Sequence, residues 1–131
     1  MHIIYEDPVK KCALSFSLID IYDNGNYYNI DICVHNGNYS GSYPFSLNKN
    51  TILHFMDFAQ SKWCEESTLF IFEDSDSDSH ISFKNMKYGH VICYGILGGE
   101  CAINSLRFSF ETDQTCYKNL VNFFLLITIN R

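Results

Sequence analysis

The chain has 131 residues, 47% of them hydrophobic and 16% aromatic, with a formal charge of −6 from 15 acids against 9 bases. That length and apolar content predict a single domain spanning 1–131 with a true core, and exclude wholesale disorder. The acidic balance argues against nucleic acid as a direct ligand, because phosphate binding needs a basic face; it suits plain solubility or a basic protein partner.

Leu14, Phe16 and Leu18 alternate with Ser15 and Ser17, the period-2 signature of a strand with one wet face, and the pattern runs on to Tyr22. Asp23-Asn-Gly-Asn reads as a hairpin turn, since Asn-Gly tolerates positive φ. Tyr28, Ile30, Ile32 and Val34 form the returning strand. Asn36-Gly-Asn is a second turn, and a strand from Tyr39 is expected to stop near Pro44. The first helix is expected over 48–61, capped by Asn48 or Asn50. Its apolar stripe is Ile52, Phe55, Met56, Ala59 and Trp63.

Thr68-Leu-Phe-Ile-Phe predicts a well-buried strand. Glu73-Asp-Ser-Asp-Ser-Asp-Ser predicts a solvated loop, and Ile81-Ser-Phe a return. The next strand is read across Tyr88-Gly-His-Val-Ile-Cys-Tyr-Gly and ends at Gly98-Gly99. The last strand starts at Ala102 or Asn104, with Leu106, Phe108 and Phe110 inward. A second helix over roughly 113–127 is capped by Thr112 or Asp113 and buries Tyr117, Leu120, Val121 and Phe124. Two halves of "strands then helix" result. The fold class is α+β: an antiparallel, meander-like sheet of about six to eight strands packed by two helices.

Charge is unevenly placed. Seven acids (Asp57, Glu65, Glu66, Glu73, Asp74, Asp76, Asp78) face one base (Lys62) between 57 and 78, a surplus of six that equals that of the whole chain. Any surface built for a cationic partner draws on this segment. Asp74, Asp76 and Asp78 have the one-three-five spacing of a calcium loop. The sixth and twelfth positions, however, hold Ser79 and Asn85 rather than Gly and Glu. The stretch therefore reads as a solvated hairpin tip, or as a tip that enters a basic cleft.

No metal, cofactor or catalytic set is predicted. The histidines (His2, His35, His54, His80, His90) lack metal spacing, and His54 reads as structural. His90 and Cys93, the nearest local couple, fall on opposite faces of one strand. No nucleophile elbow or phosphate loop is present. The six cysteines (Cys12, Cys33, Cys64, Cys93, Cys101, Cys116) follow no leader-like start and lie in apolar patterns, so reduced thiols in a cytoplasmic protein are expected. No run approaches a membrane span, and the tail from Phe123 to Ile129 reads as a helix end or final strand. Tyr22, Tyr27, Tyr28, Tyr39 and Tyr43 crowd the first half, as ordinary strand composition or as an interface.

Residues 50–127, and most clearly 81–124, resemble the immunity proteins of the WapI and contact-dependent growth inhibition kind. The resemblance rests on four features. These are a helix bearing Leu53 and spaced phenylalanines, the strand Leu69-Phe-Ile-Phe, the strand Gly89-His-Val-Ile-Cys-Tyr-Gly, and Leu106-Arg-Phe-Ser-Phe-Glu leading into Thr112-Asp-Gln-Thr. It implies a cytoplasmic antidote that binds the C-terminal toxin domain of a larger toxin, expected to be a basic nuclease. Such a protein covers the toxin's active site or a nearby surface, without catalysis of its own. No binding residue carries over from the family. The partner-binding set expected from charge is Glu65, Glu66, Glu73, Asp74, Asp76 and Asp78. The alternative is a regulatory or structural binding module unrelated to toxins.

Overall fold

Among the described residues, two four-stranded antiparallel meanders are each followed by a helix. The computed structural model describes residues 1–98 and 104–129. The first sheet runs in the order β1 (His2–Asp7), β2 (Cys12–Tyr22), β3 (Tyr27–Asn36), β4 (Tyr39–Asn48), and leads into α1 (Lys49–Ser61). The second has β5 (Leu69–Glu73), β6 (His80–Asn85), β7 (His90–Leu97) and β8 (Leu106–Asp113), and leads into α2 (Thr115–Ile129). The α+β class and the two helices are as expected, and the eight antiparallel strands fall within the six to eight expected. The division of those strands into two sheets of four was not foreseen.

Alternation places one face of each sheet inward. Leu14, Phe16, Ile30, Ile32, Val34 and Phe45 come from the first sheet, and Phe72, Ile81, Phe83 and Cys93 from the second; all are buried. Both faces meet α1 and α2 in one continuous core. Aromatic rings knit its centre: Phe124 of α2 lies 6.4 Å from Phe16, 5.6 Å from Phe55 and 5.8 Å from Phe72. Such pairs add about 0.5–1.5 kcal/mol each beyond their buried area.

Several local expectations need correction. β1 was missed: six residues with a bulge between Ile3 and Tyr5 carry too little alternation to stand out, although Ile4 is fully buried. β4 runs through Pro44 to Asn48, because it is an edge strand and the missing N–H costs no ladder bond. Leu18 is exposed although it pairs with buried Ile30; just beyond it a bulge between Leu18 and Asp20 shifts the rest of β2 by one residue. The first turn, by contrast, is as expected: Asn24 and Gly25 both take positive φ, and the Asn26 N–H closes onto the Asp23 carbonyl at 3.0 Å, with Asp23 left-handed as well.

In α1, Asn48 caps the start, its side chain accepting from the Asn50 N–H at 2.7 Å. Phe58, not Trp63, completes the buried stripe, since the helix stops at Ser61. His54 is exposed rather than structural. α2 starts two residues later than expected, because β8 continues through Asp113; the Asp113 carboxylate then accepts the Thr115 N–H at 2.9 Å. The tail to Ile129 is helical. Tyr88 is not in a strand. It sits in a 3₁₀ turn (Lys87–Gly89) at φ 61°, and β7 begins at His90. Gly99, Cys101 and Ala102, where a turn, a packed thiol and a strand start are expected, lie outside the described residues.

Candidate protein-binding surface

Strand β5 and the turns at its two ends gather the acidic residues. β5 is the edge of the second sheet and pairs only with β6. Phe72 points into the core, whereas Leu69 is 44% exposed and Ile71 39% exposed. This corrects the well-buried strand expected from Leu69-Phe-Ile-Phe. Unbroken apolar runs hide the period, and only an edge position exposes one of the two faces. Glu65 and Glu66 precede the strand, and Glu73, Asp76 and Asp78 follow it; all five are exposed. An exposed apolar pair is thus bracketed by five exposed acids.

Asp74 is different. It is 6% exposed, and its carboxylate accepts from the Ser46 N–H at 2.8 Å, the Asp76 N–H at 3.2 Å and the Ser77 hydroxyl at 2.6 Å. The Ser75 N–H also donates to the Ser46 carbonyl at 3.0 Å. Ser77 reaches Ser79 at 3.0 Å, and the Ser79 hydroxyl takes the Gly98 N–H at 3.0 Å. The Asp-Ser stretch is therefore a stitched turn tied to β4 and to the end of β7, not a free solvated tip. Asp74 leaves the expected partner-binding set: its charge is spent on the fold.

The opposite end of β5 is pinned by Asn85, which reads in sequence only as the wrong residue for the last position of a calcium loop. Asn85 is buried, and its amide nitrogen, with two hydrogens to give, lies within hydrogen-bond reach of the carbonyls of Lys62 (3.2 Å), Trp63 (3.1 Å) and Glu65 (2.9 Å). Its own backbone closes the ladder, taking the Ser67 N–H and giving to the Thr68 carbonyl, both at 2.9 Å. Glu65 and Glu66 are held in place by this brace.

Beside β5 the outer face of the second sheet continues with Lys84 opposite Leu69, Ser82 opposite Ile71 and His80 opposite Glu73. Two open depressions lie on it. One of about 490 Å³ includes Ile71, Glu73, Asp78, His80 and Tyr94. The other, of about 480 Å³, includes Glu66, Lys84, Met86, Tyr88 and Glu111. His90 Nδ1 meets Glu111 Oε1 at 2.5 Å on this face. Tyr88, 92% exposed, stands at its rim.

The tyrosines of the first sheet do not form one patch. Tyr22 and Tyr27 stack at 5.4 Å at one end of β3, and Tyr39 is exposed at the other end; Tyr28 is buried. His90 faces solvent while Cys93 is fully buried, on opposite faces of β7 as expected. Burial pushes the Cys93 thiol well above its ordinary range and Cys116 up to about 12. Both are neutral, packed thiols. Cys12, Cys33, Cys64, Cys93 and Cys116 are all unpaired. Among the described residues, no three His, Cys, Asp or Glu side chains converge as metal ligands, and no helix is long and apolar enough to cross a membrane.

Comparison of the chain with protein-family models, with curated proteins and with solved structures found no match.

Proposed function

We propose that this chain is an immunity protein: it binds the C-terminal domain of a polymorphic toxin and covers its active site or a surface beside it. The observation that carries the reading is the edge strand β5, where exposed Leu69 and Ile71 lie between Glu65 and Glu66 at one end and Glu73, Asp76 and Asp78 at the other. An apolar centre with a charged rim is the anatomy of a protein interface, and the sign of the rim selects a basic partner. Nuclease domains are basic because they grip phosphate, so a nuclease is the toxin class that fits. The acidic rim would speed encounter, and the apolar pair would slow release.

The test is a tagged pull-down from the host, followed by titration of the recovered domain. A toxin domain captured at near-equal ratio, and silenced by the purified chain, supports the reading. Reversing Glu65, Glu66, Glu73 and Asp76 together to lysine should then weaken binding at least tenfold at low salt, with most of the loss in association rate. Unchanged affinity in that variant would remove β5 from the interface. Stoichiometric capture of a cellular regulator unrelated to any toxin would instead establish the binding-module alternative.

A further inference from the structure

A third concavity, of about 540 Å³, opens between α1 and α2 on elements that the acidic strand does not use. Met56 and Ala59 of α1, Trp63 just beyond it, and Tyr117 and Val121 of α2 give it an apolar lining. The volume falls within the ordinary range of small-molecule sites, about 300–1,000 Å³. Its walls are fixed from beneath by one side chain. Asn85 donates to the Trp63 carbonyl at 3.1 Å and accepts from the Tyr117 hydroxyl at 2.6 Å. Phe58 backs the Tyr117 ring edge-to-face at 5.3 Å. A groove braced in this way keeps its shape without an occupant.

Among the described residues, its one charged lining residue is Lys118. This lysine is also the only charged side chain in α2, and it sits in the first helical turn. A cation there opposes the helix dipole. The first turn holds no acid to offset it, and Lys118 makes no ion pair among the described residues. The nearby Asp113 carboxylate is turned to the Thr115 N–H and hydroxyl. Lys118 is exposed at the rim of the groove, where its ammonium can meet a charge in the groove mouth. An anion at this end of the groove would meet the Lys118 ammonium and the adjoining Gln114 side chain.

We propose that the groove between α1 and α2 binds a small amphipathic anion, with an apolar body against Trp63, Met56 and Val121 and a carboxylate at Lys118. Trp63 is the only tryptophan of the chain, so its fluorescence reports occupancy directly.

The experiment titrates the whole protein with octanoate and with octylammonium, each below its micelle concentration, following Trp63 emission and heat. Octanoate should give a saturable change at one site, and octylammonium should bind at least about fivefold more weakly, the ratio expected for one partly exposed ion pair. Lys118→Met should erase that preference, and Ala59→Leu should fill the groove and remove the signal. Lys118 is exposed, so the first variant keeps the fold. Absence of saturation, or equal affinity for the two probes in the wild-type chain, would overturn the proposal. Binding that survives Ala59→Leu in a folded protein would place the site elsewhere.

Discussion

The Tyr117 hydroxyl of α2 donates to the side-chain oxygen of Asn85, at the end of β6, at 2.6 Å. That bond joins the second helix to the turn before β5, because the amide nitrogen of the same Asn85 also gathers the Lys62, Trp63 and Glu65 carbonyls. One buried side chain thereby braces both the acidic strand and the groove between the helices.

Removing the brace should be costly. Asn85→Ala removes the donor to the Trp63 carbonyl and the acceptor of the Tyr117 hydroxyl, while the Lys62 and Glu65 carbonyls keep the Glu65 N–H and the Thr68 hydroxyl; the loss should be about 2–3 kcal/mol. Tyr117→Phe removes only the hydroxyl and should cost about 1–2 kcal/mol. The double variant should fall short of the sum by about 1 kcal/mol, because both changes delete the same bond. Urea unfolding of the four proteins closes this cycle, and strict additivity would deny the coupling.

Asp74 and Asp76 are two residues apart and should behave oppositely. Asp74→Ala removes an acceptor for two backbone N–H groups and a hydroxyl, and should cost about 2–3 kcal/mol of stability. Asp76→Ala, at an exposed side chain, should stay within about 0.5 kcal/mol. Thermal melts separate the two, and equal shifts would contradict the buried placement of Asp74.

Gly95 of β7 has no room for a side chain. A Cβ there would stand 2.1 Å from the His80 carbonyl oxygen and 2.9 Å from the Ile81 Cα, both backbone atoms of the neighbouring strand. Gly95→Ala should cost about 3 kcal/mol or more, since strand pairing must open to admit it. At Gly41 the nearest atom is the flexible end of Leu106, at 3.2 Å, so Gly41→Ala should cost about 1 kcal/mol or less. A Gly95→Ala protein with wild-type urea midpoint would refute the register of β6 and β7.

Alkali should weaken the fold. Burial raises Cys116 from the ordinary 9.0 to about 12, and raises Cys93 and Tyr117 as well. Each group is neutral when protonated, so the folded state holds its proton longer than the unfolded chain. The stabilising contribution is complete below pH 9 and is lost as pH climbs toward 12. The slope should reach about −1.4 kcal/mol per pH unit for each group involved. Unfolding free energies measured between pH 7 and 10.5 should fall at the upper end, less steeply in Cys116→Ala. A flat profile would mean that these groups are not desolvated.

The chain itself determined its local structure where alternation and capping agree. Tyr28, Ile30, Ile32 and Val34 announce β3, Asn48 announces the start of α1, and Leu106, Phe108 and Phe110 announce β8, because each pattern depends on neighbours within a few residues. The order of strands then helix, twice, was also legible. Tertiary structure decided what depends on distant partners. Pro44 continues a strand because β4 lies at an edge. Leu69 and Ile71 face solvent because β5 lies at one too. Asp74 and Asp76 have the same side chain in the same acidic run. Only Asp74 is buried, because β4 brings Ser46, 28 residues upstream, onto its carboxylate. Burial and hydrogen bonding are properties of the assembled fold, and they decide which acids remain free to meet a partner.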